Sequence, residues 1–142
     1  MDVSSESGAI FAEKWAARGL AVGDIDNDGT LEVLVNNQNE PPSLWKQAGR
    51  AAGHWLLIAL SGSRSNRSAI GARVMVSAAG RVQTDELHSG GSYLSQNDMR
   101  LHFGLGSATR ADSITVRWPS GEKTVLKDVA SDRVVTIRQT RD

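Results

Sequence analysis

Gly19-Leu20-Ala21-Val22-Gly23-Asp24-Ile25-Asp26-Asn27-Asp28-Gly29-Thr30-Leu31-Glu32-Val33-Leu34-Val35 sets an acidic bend between two short apolar runs. Within Asp24–Glu32 the carboxylates occupy the first, third, fifth and ninth positions, and a glycine occupies the sixth. This spacing wraps oxygen atoms around one point. Without a cation each pair of carboxylates near 4 Å repels by about 1 kcal/mol in water, and about four times that at an effective dielectric of 20. Ca2+ relieves such crowding by taking about 6–8 oxygen ligands in flexible geometry. The loop therefore predicts a calcium site in which Asp24, Asp26 and Asp28 ligate by side chain and Glu32 closes the shell. Thr30 would supply its backbone carbonyl, by analogy with the general coordination pattern. The competing reading is a metal-free turn, because Asp, Asn and Gly favour turns on their own. A turn needs one or two such residues, whereas this loop spaces four acids.

The flanks decide what kind of loop it is. An EF-hand requires a Glu at the twelfth position and lies between two helices. Val35 stands at that position, and neither Gly19–Gly23 nor Leu31–Val35 has a helical period. The loop joins two strands. Outward from it, nearly every segment also reads as strand. Ser43-Leu44-Trp45-Lys46 is a short third one, and Trp55-Leu56-Leu57-Ile58-Ala59-Leu60 is a continuous apolar run suited to a central position. Ala72, Val74, Val76 and Ala78 alternate with Arg73, Met75 and Ser77, and Ala79-Gly80 turns the chain into Arg81–Leu87 as a hairpin. Leu101, Phe103 and Leu105 alternate, as do Ile114, Val116 and Trp118; Thr124–Leu126 and Val134–Ile137 follow. The pattern predicts an all-β chain built around an antiparallel β-sandwich. A helical turn or two near Ala12–Ala17 is the single exception. A change of composition around Gln47–Gly53 places a boundary between a calcium-loop unit at 1–50 and the sandwich at 51–142.

With 142 residues the chain forms one ordinary domain or two small ones. Lys plus Arg and Asp plus Glu both total 16, so the net charge of zero argues against a nucleic-acid or acidic-membrane surface. No apolar stretch approaches the roughly 18 residues of a membrane span. The first residues lack the basic and apolar regions of an export signal. Cysteine is absent, which removes disulfides and thiolate metal sites.

Two stretches resemble known families. Arg18–Val35 resembles an FG-GAP or VCBS-type repeat, through Arg18-Gly19-Leu20-Ala21-Val22-Gly23, the acidic loop and Leu31-Glu32-Val33-Leu34-Val35. The chain from His54-Trp55 onward resembles the ASPIC/UnbV domain. The matching pieces are Ser65-Asn66-Arg67, Ile70-Gly71-Ala72-Arg73-Val74, Gly90–Gln96, Leu101–Gly106 and Val116-Arg117-Trp118-Pro119-Ser120-Gly121. Together they cover about residues 18–138. The resemblance implies a partial propeller-blade-like calcium-loop unit ahead of the sandwich, in an extracellular or periplasmic scaffold without established enzymatic activity. Such repeats close propellers of about 4–8 blades, and this chain carries one. The ninth loop position is also Glu32 where such repeats more often have Asp, which bears on affinity.

The remaining polar groups give weaker signals. His88-Ser89-Gly90-Gly91-Ser92 holds a histidine and two serines, but no nucleophile elbow surrounds them, and a glycine-rich connection explains them. Gly104-Leu105-Gly106 lacks a following helix, so it is not a dinucleotide fingerprint. Arg64, Arg67 and Arg73 lie in or beside a polar loop and suit an acidic glycan or plain solvation. Asn66-Arg67-Ser68 is a glycosylation sequon. His102 alternates with Leu101 and Phe103 and is expected on an outer face; Trp118 shares the parity of the core. Trp15 and Trp45 belong to the incomplete blade, whose uncovered edge favours pairing into a homodimer. No acid–base pair, nucleophile or catalytic metal cluster stands out. The expected function is a non-catalytic calcium-binding module of an exported protein with a protein or glycan partner. The alternatives are a carbohydrate-binding module and a fragment of a hydrolase whose active site lies elsewhere.

Overall fold

The continuous apolar run forms strand β4 (His54–Ser61), and its residues are buried on both faces. Strands covered on both sides carry unbroken apolar runs, whereas half-exposed strands alternate. In the computed structural model, which describes residues 6–49 and 53–140, β4 is the centre of a three-stranded sheet with β7 (Leu101–Gly106) and β10 (Arg133–Arg138). One face of β4 presents Leu56 and Ile58 to the main core; the other presents Trp55 and Leu57.

Facing the Leu56–Ile58 side lies a four-stranded antiparallel sheet in the order β6-β5-β8-β9, comprising Arg81–Glu86, Arg73–Ala78, Arg110–Arg117 and Lys123–Ala130. Val74, Val76, Ile114, Val116 and Trp118 meet Leu56, Ile58, Leu101, Phe103 and Ile137 in one buried cluster. This is the expected sandwich. Trp118 is 2 % exposed, and its indole N–H donates to Thr124 Oγ1 at 2.8 Å, so the ring's polar edge is satisfied inside the core. The β5–β6 hairpin turns on Ala79 and Gly80, both with positive φ (48° and 73°), as a two-residue turn matching strand twist requires.

The sandwich departs from the antiparallel expectation at one place: β10 runs parallel to β4, with Val135 beside Ile58. The cause is where the chain lands after β9. Asp132 arrives at the start of β4, donating its N–H to the Trp55 carbonyl at 2.7 Å and accepting from the Trp55 N–H at 3.3 Å. A strand leaving that point must run alongside β4 in the same direction. The side-chain alternation of β10 is the same for either direction.

Ahead of the sandwich, β1 (Ala17–Gly23), β2 (Glu32–Asn37) and β3 (Ser43–Trp45) form a separate antiparallel sheet. The expected helical turn at Ala12–Ala17 is displaced: a 3-10 turn covers Ala9–Ala12, and Ala17 already opens β1. Trp15 is 38 % exposed, whereas Trp45 is half-buried with Phe11 edge-on against it at 5.3 Å. The expected boundary at residues 50 and 51 falls outside the described residues.

Gln139 ties the end of the chain to two loops. Its side-chain oxygen accepts the backbone N–H groups of Ser63, Arg64 and Ser65 at 3.0–3.2 Å, while its amide donates to Ser120 Oγ and Glu122 Oε2. Gln139→Ala should cost about 1 kcal/mol or more, because several hydrogen bonds of a buried side chain are lost while its partners are half-buried or exposed and can turn to water. Urea unfolding followed by tryptophan fluorescence measures it, with an unchanged slope and a lower midpoint as the expected result.

Candidate functional site

The acidic loop covers the second face of the β4–β7 pair. Trp55 pairs across strands with Gly104, and Leu57 with His102, so this face carries an indole, an imidazole and a leucine. Gly29 rests on Trp55 so closely that a Cβ there would lie 2.1 Å from the indole Cδ1, and its φ of 88° is one that glycine tolerates. The Gly29 carbonyl lies 2.9 Å from His102 Nε2, and the imidazole stacks on Trp55 at 6.5 Å between ring centroids. His102 is on the outer face, as its parity required, but it lies half-buried against the loop.

A second set of contacts grips the loop from the side. Arg100 donates through Nε to both Asp98 carboxylate oxygens (3.1 and 2.8 Å), through Nη2 to the Asp24 carbonyl (2.7 Å) and through Nη1 to Asn27 Oδ1. Burial pushes the Asp98 carboxyl upward, but hydrogen bonds from the Arg100 side chain and backbone N–H, with the guanidinium charge, hold it below its ordinary value. Beyond Arg100, residues 95–98 lie along the open edge of β1. The Ser95 hydroxyl donates to the Leu20 carbonyl (2.7 Å), Val22 N–H donates to Asn97 Oδ1 (3.0 Å), and Asp98 N–H donates to the Val22 carbonyl (2.9 Å). This covers the edge that a bare β1 would expose.

Inside the loop, one carboxylate oxygen from each of Asp24, Asp26 and Asp28 lies within 4.8 Å of the others. Asp24 is fully buried and accepts the Asp28 and Gly29 backbone N–H groups at 3.1 and 2.9 Å. Asp28 Oδ1 accepts the Thr30 N–H at 2.8 Å. Asp26 is exposed and pairs with the Lys46 ammonium, which its hydrogen bond drives above the ordinary lysine pKa. Glu32 lies outside the three-aspartate group. It is 2 % exposed; Oε2 accepts the Ile25 N–H at 2.8 Å, but Oε1 accepts no hydrogen bond and lies 3.7 Å from Lys46 Nζ. The Thr30 hydroxyl is likewise buried without a hydrogen bond. Lys46, one residue past β3, carried no signal in the sequence reading; its role follows from the pairing of β3 with β2.

The other singled-out residues do not gather into one site. Arg64 pairs with Glu122 at 2.7 Å, Arg67 lines a separate cavity with Met99, and Arg73 stands on the outer face of β5. The Asn66 amide is held at both ends by Ile70, donating to its carbonyl and accepting its N–H at 2.8 Å. Residues 88–92 lie in the β6–β7 connection, with positive φ at Gly90 and Gly91 and the Gly90 N–H donating to Gln96 Oε1.

With this geometry in view, the match to known proteins is specific. Residues 62–142 fit the family model described as ASPIC and UnbV. The chain belongs to that family. It is also 29 % identical over 123 residues to cartilage acidic protein 1 of Xenopus tropicalis, a stretch covering 84 % of this chain and 18 % of that protein. The chain thus spans less than a fifth of that relative's length. The relative's stretch is longer than the 81 residues the family model matches, so the similarity reaches beyond the family region. Among the described residues no helix is long and apolar enough to cross a membrane.

Two outcomes test the seam between loop and sandwich. Gly29→Ala forces a Cβ into Trp55 at a positive φ and should cost about 3 kcal/mol or more, combining overpacking with backbone strain; thermal unfolding by circular dichroism reads it. Asp98 has a lowered carboxyl pKa, so its contribution is present above its ordinary value of 3.8 and is lost as pH falls through the lower folded value. Below that pH, Asp98→Asn should lose less stability on acidification than the unaltered chain does, as measured by urea midpoints across the acid range.

Proposed function

We propose that this chain is a non-catalytic, calcium-binding β-module of an exported protein, in which the ion stiffens the Asp24–Glu32 loop and the sandwich serves interaction. One observation carries the reading: one carboxylate oxygen from each of Asp24, Asp26 and Asp28 lies within 4.8 Å of the others, in the loop whose last carboxylate, Glu32, is buried with one oxygen outside any hydrogen bond. Three carboxylates held so close repel one another, so the arrangement favours a cation among them, beyond the Lys46 ammonium that already lies 3.7 Å from Glu32 Oε1. Asp24, Asp26 and Asp28 would hold Ca2+ by side chain, with Thr30 through its carbonyl and Glu32 through its carboxylate. The ion would supply positive charge to a cluster whose present cation is the Lys46 ammonium on Asp26.

Lys46 acts as a tethered competitor in this reading. It neutralises part of the loop when calcium is scarce and must swing away for Asp26 to ligate. The adjoining three-stranded sheet, resembling one FG-GAP or VCBS-type blade, would serve contact with a protein partner or a second copy. Its Leu34 and Leu44 are cross-strand neighbours, 43 % and 55 % exposed. Similarity to a protein named for cartilage supports an extracellular setting.

Millimolar CaCl2 should raise the melting temperature by an amount following RT ln(1 + [L]/Kd). Asp26→Ala should abolish the rise, and Lys46→Ala should tighten calcium binding in calorimetry by removing the competitor. Equal melting temperatures in CaCl2 and EDTA would defeat the proposal.

A further inference from the structure

On the outer face of the four-stranded sheet, strand register aligns Glu86, Arg73, Arg117 and Lys123 in one row across β6, β5, β8 and β9. Adjacent strands lie about 4.7–4.9 Å apart, so the three cations are immediate neighbours. Like charges directly opposite each other destabilise an antiparallel pair, and here Arg73 faces Arg117, which in turn faces Lys123. Among the described residues, no carboxylate lies within ion-pair distance of any of the three, Glu86 included. Two other exposed arginines are neutralised locally, Arg64 by Glu122 and Arg110 by Asp128, whereas Arg81 and Arg133 stand without an ion pair among the described residues but face no second cation across their strands.

The row ends at a cavity of about 270 Å³. Arg73, Glu86 and Arg117 line one side, and Gly71, Trp118, Pro119 and Gly121 line the rest. The wall is rigid for physical reasons. Trp118 is locked into the core, and its N–H and the Gly121 N–H close the Pro119–Gly121 turn onto Glu122 and Trp118 at 2.9 Å. The backbones that carry the two arginines are held side by side, because β5 and β8 are paired from Arg73↔Arg117 to Ser77↔Ser113.

We infer that this row is a binding site for an oxyanion group, sulfate or phosphate, held between the Arg73 and Arg117 guanidinium forks with Lys123 beside them. Planar guanidinium groups present paired N–H donors matched to such oxygens. An anion between two facing arginines turns a repulsive cross-strand pair into an attractive triplet. Glu86 flanks the row on the Arg73 side and sets a limit: it repels a bulky anion from that side and directs it toward Arg117 and Lys123. The site lies on a different sheet from the acidic loop, so its test is independent of the calcium proposal.

The experiment titrates the full chain with inorganic sulfate, inorganic phosphate and a sulfated oligosaccharide, following the Trp118 indole N–H and the Gly71 and Gly121 amides by NMR. Saturable shifts at these three groups are expected, with at least tenfold weaker binding in the double variant R73Q/R117Q. Arg133→Gln, a change of the same charge elsewhere on the surface, should leave affinity within twofold. Binding of the free anions shows a small-ion site; binding of the oligosaccharide alone shows one for chain-borne sulfate. No saturable shift with any of the three probes, or equal loss in R133Q, would overturn the inference. A second measurement guards against misfolding: Arg117→Gln alone should melt at or above the unaltered chain's temperature in low salt, because a repulsion has been removed. A lower melting temperature that added salt does not restore would show the arginines to be structural and would also defeat the site.

Discussion

The burial of Trp55 and Leu57 on the outer side of β4 is the constraint on which the molecule depends. A three-stranded sheet with one apolar face would need only the opposing four-stranded sheet. β4 has two apolar faces, so something must cover the second. The acidic loop does so by laying Gly29 on the indole and its carbonyl on His102. The charged loop is thereby fixed by an apolar contact, and its geometry is inherited from the sandwich.

Arg100 adds direction to that contact. One guanidinium holds Asp98, the Asp24 carbonyl and Asn27 together, so the fourth loop residue is gripped by its side chain between the converging aspartates. Lys46 reaches the same loop from β3. The loop thus receives one cation from the sandwich and another from its own sheet. The Arg100 contacts organise the backbone; the Lys46 contact balances charge at the carboxylates.

Much of this was legible in residue order. Most of the ten strands among the described residues follow from alternation or from apolar runs, because side-chain period in a strand depends only on local backbone geometry, and β6 follows from the Ala79-Gly80 turn before it. Trp118 in the core and His102 on an outer face follow from the same parity. The three-aspartate cluster was also legible, since its spacing within one tight turn leaves little freedom. The Arg73–Arg117–Lys123 row was not. Arg73 was singled out, but with Arg64 and Arg67, which the fold sends elsewhere; its partner Arg117 lies 44 residues further on and is brought beside it only by the pairing of β5 with β8.

By themselves, then, the residues determined what each segment is: strand, hairpin turn or acidic bend, because those choices are made within a few residues of backbone. Only the tertiary structure decided what each segment meets. The parallel pairing of β10 with β4, the Arg100 hold on Asp24 and Asn27, the Lys46 approach and the Gln139 clamp all join positions at least 14 residues apart. Partners at that distance leave no period or motif in the chain. They are selected by which faces remain uncovered once the strands have paired.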